Sequence, residues 1–210
     1  MSVTVRFEPL SPKAFPGGRE PFRVRGLAYV AALDYLDKTG ERAVTRTLSG
    51  VDAAHFDQLF VASGDYDVSP LVTLYVALAR AARVTPATFV ETRSRKSAVQ
   101  MTAGIWKPML KTSSPEAMAE RTYLAFNRFF EPTRAATIAV TPGRFEGELS
   151  RVPAPIGGFY VASTIGFVAA ALELAGAKRV DVKFTTQAPD GELEGVPLER
   201  MRFVATFMQA

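Results

Sequence analysis

Hydrophobic positions change their spacing twice along the chain. Val3, Val5 and Phe7 alternate with Thr4, Arg6 and Glu8, which predicts a half-buried strand over 2–8. Residues 9–21 hold Pro9, Pro12, Pro16, Pro21, Gly17 and Gly18, so this stretch reads as an arm without regular structure. From Phe22 to Lys38 the spacing turns helical, with Leu27, Val30, Ala31 and Leu33 clustered, and Gly40 ends the run. A short helix is expected over Glu41–Leu48, and another after Asp52 with Phe56, Leu59 and Phe60 turned inward. Ser69-Pro70, Thr85-Pro86 and Ser114-Pro115 repeat one start signal, a capping side chain followed by proline in the first turn. They predict helices over 70–84, from 86 toward Lys111 unless Pro108 interrupts it, and from 115 to Pro132.

After Pro132 the period becomes two. Arg134–Val140 and Arg144–Val152 flank Thr141-Pro142-Gly143, which predicts a hairpin. Pro153 and Pro155 break it. Gly157–Ala175 is then apolar on nearly every side, the mark of a helix surrounded by other elements. Beyond Gly176, Val180, Val182 and Phe184 alternate with charged residues as a strand over 178–185. A polar loop is expected over 187–199 and a last strand over Met201–Met208. Helices followed by strand–strand–helix–strand–strand imply an α+β fold with an antiparallel sheet. The arm (1–21), the helical part (22–132) and the sheet with its central helix (133–210) are expected to form one domain, and no internal repeat is visible.

Composition removes several kinds of chemistry. The 210 residues contain no cysteine, which excludes thiolate metal sites and cysteine nucleophiles and fits a cytoplasmic setting. The one histidine, His55, rules out a multi-histidine metal site within the chain. It lies between Asp52 and Asp57, and no Gly-x-Ser-x-Gly nucleophile turn accompanies it, so it reads as a surface or capping residue. No basic, then apolar, secretory leader opens the sequence. Phe159–Ala175 includes Ser163, Thr164, Gly166 and Glu173 and reads as a core helix, not a membrane span.

The order of motifs carries a resemblance. Arg25-Gly26 opens the first long helix, and an aromatic-then-proline segment runs from Ser63 to Pro70. Trp106 precedes Ser114-Pro115-Glu116, Phe129-Phe130 precedes the first hairpin strand, and Ala175-Gly176-Ala177 ends the central helix. Together these span most of the chain. They resemble the superfamily of haem-NO-binding-associated domains, vinyl-reductase-type ligand domains and Bet3-like TRAPP subunits, and within it a myxobacterial paralogous family. The resemblance implies the fold, a ligand-binding or interaction role, and frequent pairing of subunits. Haem-binding members use a histidine with a Tyr-x-Ser-x-Arg signature, which is absent here, and the cysteines of many vinyl-reductase-type domains are missing. It therefore implies neither cofactor nor metal.

Candidate residues follow from these elements. Tyr66, Tyr75, Trp106, Phe126, Phe159 and Phe167 are candidates to line an apolar pocket between the helices and the sheet. Ser163, Gly166 and Ala170 form a strip of small residues open to a neighbouring helix of this chain or of a second copy. Arg93, Arg95 and Lys96 are candidates for anion binding within 80–128, where nine Lys/Arg face three Glu. The leading expectation is a non-enzymatic cytoplasmic interaction or sensor module with a small apolar ligand, self-association or a protein partner. The alternatives are a DNA-associated regulator using the basic helices, although no helix-turn-helix signature accompanies them, and a metal-free enzyme.

Overall fold

The computed structural model describes residues 3, 5–11, 15, 18–48, 50–103 and 114–209. Its helical part begins with a strand the spacing concealed. β1 (Arg23–Arg25) pairs antiparallel with β2 (Asp65–Asp67) and β3 (Phe130–Glu131), giving a small sheet in the order β2-β1-β3. Val24 faces Tyr66 on one side and Phe130 on the other. Three residues are too few to show an alternating pattern, which is why the segment reads as the start of a helix.

α1 (Gly26–Thr39) follows directly and ends at Gly40, whose positive φ of 72° suits a residue without a side chain. Gly26 is required by proximity, because a Cβ there would overlap the Val61 carbonyl. Arg25 ties the junction together through the carbonyls of Ser63 and Arg128 and the Asp65 carboxylate. The Arg25-Gly26 motif is therefore an anchor of the fold. A 3-10 helix (Glu41–Thr47) and α2 (Gly50–His55) come next. α2 ends earlier than expected, and Leu59 lies beyond it, 88% exposed and not inward.

α3 (Ser69–Ala81) takes Pro70 in its first turn and buries Leu71, Leu74, Tyr75 and Leu78. α4 (Pro86–Ala103) is capped by the Thr85 hydroxyl, which accepts from the Thr88 amide at 3.1 Å. The Ser114 hydroxyl caps α5 (Pro115–Ala119) in the same way, accepting from Ala117 at 3.2 Å. The single helix expected over 115–132 is two pieces, α5 and α6 (Thr122–Phe129), because the chain turns at Glu120–Arg121.

β4 (Arg134–Thr141) and β5 (Arg144–Pro153) form the expected hairpin, and α7 (Gly157–Leu174) the expected buried helix. β6 (Lys178–Leu193) and β7 (Val196–Met208) complete a second antiparallel sheet in the order β4-β5-β7-β6. The polar loop expected over 187–199 is instead the far half of this hairpin, turning at Glu194-Gly195. β6 is an edge strand, and its register shifts between Pro189 and Glu192, so the proline and Gly191 are accommodated there. On β7, Val196, Leu198, Met201, Phe203, Ala205 and Phe207 turn inward.

None of the described residues in 2–8 is a strand. The segment lies along the start of α7, where Glu8 donates to the Pro155 carbonyl and Gly158 donates to the Arg6 carbonyl. The expected inward face is only partly kept, since Val5 is exposed, and the partner is a helix entrance instead of a sheet edge, so only isolated bonds form. Phe7 packs against Gly158, where a Cβ would overlap its ring.

Candidate ligand-binding site

α7 has two working faces. Val168 and Leu172 point into a core shared with Phe145, Phe203, Ala205 and Phe207 of the four-stranded sheet. Phe159, Ser163 and Phe167, spaced four apart, form a different face that borders a cavity of about 330 Å³. α1 contributes Leu27, Ala28 and Ala31 to its wall, α3 contributes Leu71 and Tyr75, and α6 contributes Ala125, Phe126 and Phe129. β3 adds Phe130. No described residue of the four-stranded sheet lines it, so the pocket lies between helices and not between helices and the sheet as expected. The reason is packing: the sheet-facing side of α7 is already filled.

The polar lining comes chiefly from one element. α4 presents Val90, Arg93, Ser94, Ser97 and Gln100 to the cavity. Ser94 donates to the Ser163 carbonyl at 2.7 Å, which holds this wall against α7. The Arg93 guanidinium lies over the Tyr35 ring, 4.3 Å from its centre, and donates to the Ala31 carbonyl at 3.3 Å. Its Nε is buried and has no partner. Burial pushes the Tyr75 hydroxyl above its ordinary range, and the Arg93 guanidinium beside it draws it partly back.

Four of the six pocket candidates, Tyr75, Phe126, Phe159 and Phe167, meet here. Tyr66 does not. It packs on Tyr29 and Phe60, and its hydroxyl accepts from the Val61 amide at 2.8 Å. Trp106 lies outside the described residues. Ser163 and Gly166 of the small-residue strip meet α4 of the same chain, and a Cβ on Gly166 would overlap the Glu91 carbonyl. Ala170 lies with Arg95, Lys96 and Glu173 around a second hollow at the far end of this contact.

The basic candidates separate. Arg93 enters the cavity wall, while Arg95 pairs with Glu173 at 2.8 Å and with Glu91 on its own helix. Lys96 is exposed. Thus two of the three cations serve the interior or an ion pair.

His55 is half-buried, with part of its surface still exposed. Its ring packs against Tyr29, Phe56 and Phe60, its Nε2 is buried without a partner, and burial holds it below its ordinary pKa. It does not line the cavity. Among the described residues no cluster of three His, Asp or Glu could hold a metal. The sequence did not single out Ser94, Ser97 and Gln100. Their spacing relative to Arg93 on one helix is the signal that marks them in retrospect.

No family model matches the chain, and no curated protein matches it. Solved structures do. The Fe(II) unliganded H-NOX protein from K. algicida superposes with a TM-score of 0.61 at 10% identity, covering 89% of this chain and 97% of that one. A Cs H-NOX variant with 4-cyano-L-phenylalanine gives 0.63 at 12% identity, over 87% and 96%. A T. tengcongensis H-NOX variant gives 0.61 at 12%, over 86% and 94%. At these identities the likeness is one of fold, and the fold of this chain is that of the H-NOX domains.

Proposed function

We propose that this chain is a non-enzymatic sensor or interaction module that holds a small apolar ligand in the cavity between α1, α3, α4, α6 and α7. The observation that carries this reading is the cavity itself, about 330 Å³ and lined largely by leucine, alanine and phenylalanine with a few polar groups on one wall. Sites of that size and make-up suit small molecules. The H-NOX fold supports the same reading, since a cavity among helices beside a sheet is compatible with a bound small ligand.

Haem is the group to weigh, because related structures concern haem distortion in the H-NOX family. Iron in haem is held by histidine, cysteine, methionine or tyrosine. The chain has no cysteine, and its one histidine is packed among aromatic rings away from the cavity. Tyr75 is the lone described lining residue of a ligating type, and burial favours its protonated form. These residues do not fit a haem, so the ligand of this reading is organic and no step is assigned to iron.

Self-association, a protein partner and a cytoplasmic setting belong to the same proposal, as does kinship with the vinyl-reductase-type, Bet3-like and myxobacterial families. An interface would use a surface other than the Ser163–Gly166 strip, which α4 covers.

The test is native mass spectrometry of protein purified from its own host, followed by organic extraction. We expect a mass increment that disappears on denaturation. Ala28→Trp, which fills the cavity from α1, is expected to fold and to lose the increment. A bare polypeptide mass, with nothing recovered in the extract, would sink the reading.

A further inference from the structure

We infer that the cavity selects a compact monocarboxylate, with its acid group on Arg93 and its apolar body against α6 and α7. The inference rests on the cavity reading above and specifies its ligand. Arg93 is the carrier. Among the described residues it forms no ion pair, whereas its neighbour on the same helix, Arg95, has two acidic partners. What Arg93 does have is weaker than an ion pair: a ring face, a backbone carbonyl and the Tyr75 hydroxyl, with Nε buried and unpartnered. A partly buried guanidinium without a carboxylate is costly, and a planar fork of N–H donors is matched by a carboxylate.

The surroundings narrow the ligand class. Ser97 and Gln100 follow Arg93 on one stripe of α4, and the Tyr75 hydroxyl sits beside the guanidinium as a further donor. The lining also includes Leu27, Phe126, Phe129, Phe159 and Phe167, so a polar head and an apolar body are both accommodated. Charge limits the head to a monoanion. Arg93 is the one cation among the described lining residues, while Arg95 is committed to Glu173. A phosphate dianion would need a second. A space of about 330 Å³ equals the liquid volume of about ten waters, which suits roughly ten to fifteen non-hydrogen atoms.

The test uses the full chain and 1-aminonaphthalene, a fluorescent apolar molecule that is uncharged near neutral pH and small enough for that space. Decanoate and decan-1-ol compete for it. We expect displacement by decanoate at an about tenfold lower concentration than by the alcohol, as one charge-assisted contact would give. In Arg93→Met, followed for folding by near-UV circular dichroism, the dye still binds and the preference for the acid is lost. If the two compete equally in the unmodified protein, the acid-selective site is overturned while the apolar cavity stands. That comparison needs no variant. If neither dye nor decanoate binds, the cavity reading fails and this inference with it. If Arg93→Met keeps the acid preference, Arg93 is not the recognising group and the inference fails.

Discussion

The two sides of α7 are built from the same helix and solve packing differently. Toward the sheet, Val168 and Leu172 meet Phe145, Phe203, Ala205 and Phe207, with the buried Thr164 one turn before Val168 on the helix. Toward the other helices, α7 presents Phe159, Ser163 and Phe167 to an open space whose lining includes the buried Tyr75. Glu20, Tyr29, Tyr75 and Tyr160 all lie in or against the helical core, each with its pKa raised by burial. The filled side sets the architecture. A cavity with partly satisfied polar groups costs stability, and such costs concentrate where a protein binds something.

Removing bulk from the filled side should have the largest effect. Leu172 is fully buried between α7 and the sheet. Leu172→Ala is expected to cost about 2–5 kcal/mol, the range for a buried leucine whose site cannot collapse. Urea denaturation followed by circular dichroism would measure it. A cost under about 1 kcal/mol would mean that the sheet side is no better packed than the cavity side.

The next effect separates the two sides by pH. Glu20 is 2% exposed beneath the start of α3, where one carboxylate oxygen accepts from the Ser69 amide at 2.6 Å and the other has no partner. Burial raises its pKa from 4.5 to about 7, against the opposing pull of the Ser69 and Val68 hydrogen bonds and of Arg23. The folded chain therefore keeps a proton that the unfolded chain has released between these values. The contribution is fully present below about pH 4.5 and is lost as pH rises through about 7, on the order of 3 kcal/mol across the window. Glu20→Gln keeps an acceptor for Ser69 and should flatten that slope, making the variant the more stable protein at about pH 8. Equal slopes in the two proteins would place the buried charge elsewhere.

How much of this was legible in the sequence depends on range. α7, its hairpin neighbours and the starts of α3, α4 and α5 are local signals, and they appear where spacing and proline placed them, although Ser69 lies inside α3 and does not cap it as Thr85 and Ser114 cap α4 and α5. β1, β2 and β3 were hidden because each is two or three residues long and exists only by pairing with segments distant in sequence. The far half of the β6–β7 hairpin was hidden by Pro189 and Gly191, which an edge strand tolerates. Of the site, the aromatic lining was legible as a list of apolar helix positions. Its location was not, since nothing local says which face of α7 meets the sheet. Arg93 was legible as a cation and illegible as a half-buried one, because its neighbours in the wall come from α1 and α3.

The smallest effect tests the line where the two sides meet. Gly166 lies where α7 crosses α4, and a Cβ there would overlap the Glu91 carbonyl and approach the Ser94 side chain. Helix propensity alone favours alanine over glycine by about 1 kcal/mol. The overlap is with backbone, which cannot rotate away, and overpacking of this kind costs about 1–3 kcal/mol. Gly166→Ala is therefore expected to lose up to about 2 kcal/mol net. Gly157, at the start of the same helix, supplies the contrast, because its added Cβ would meet the flexible end of Met201 at 3.1 Å. Gly157→Ala should be near neutral, since that methyl group can shift. Thermal melts of the two variants side by side decide the matter. A Gly166→Ala protein as stable as Gly157→Ala would show that α4 can move away from α7, and with it the wall that carries Arg93 and Ser94.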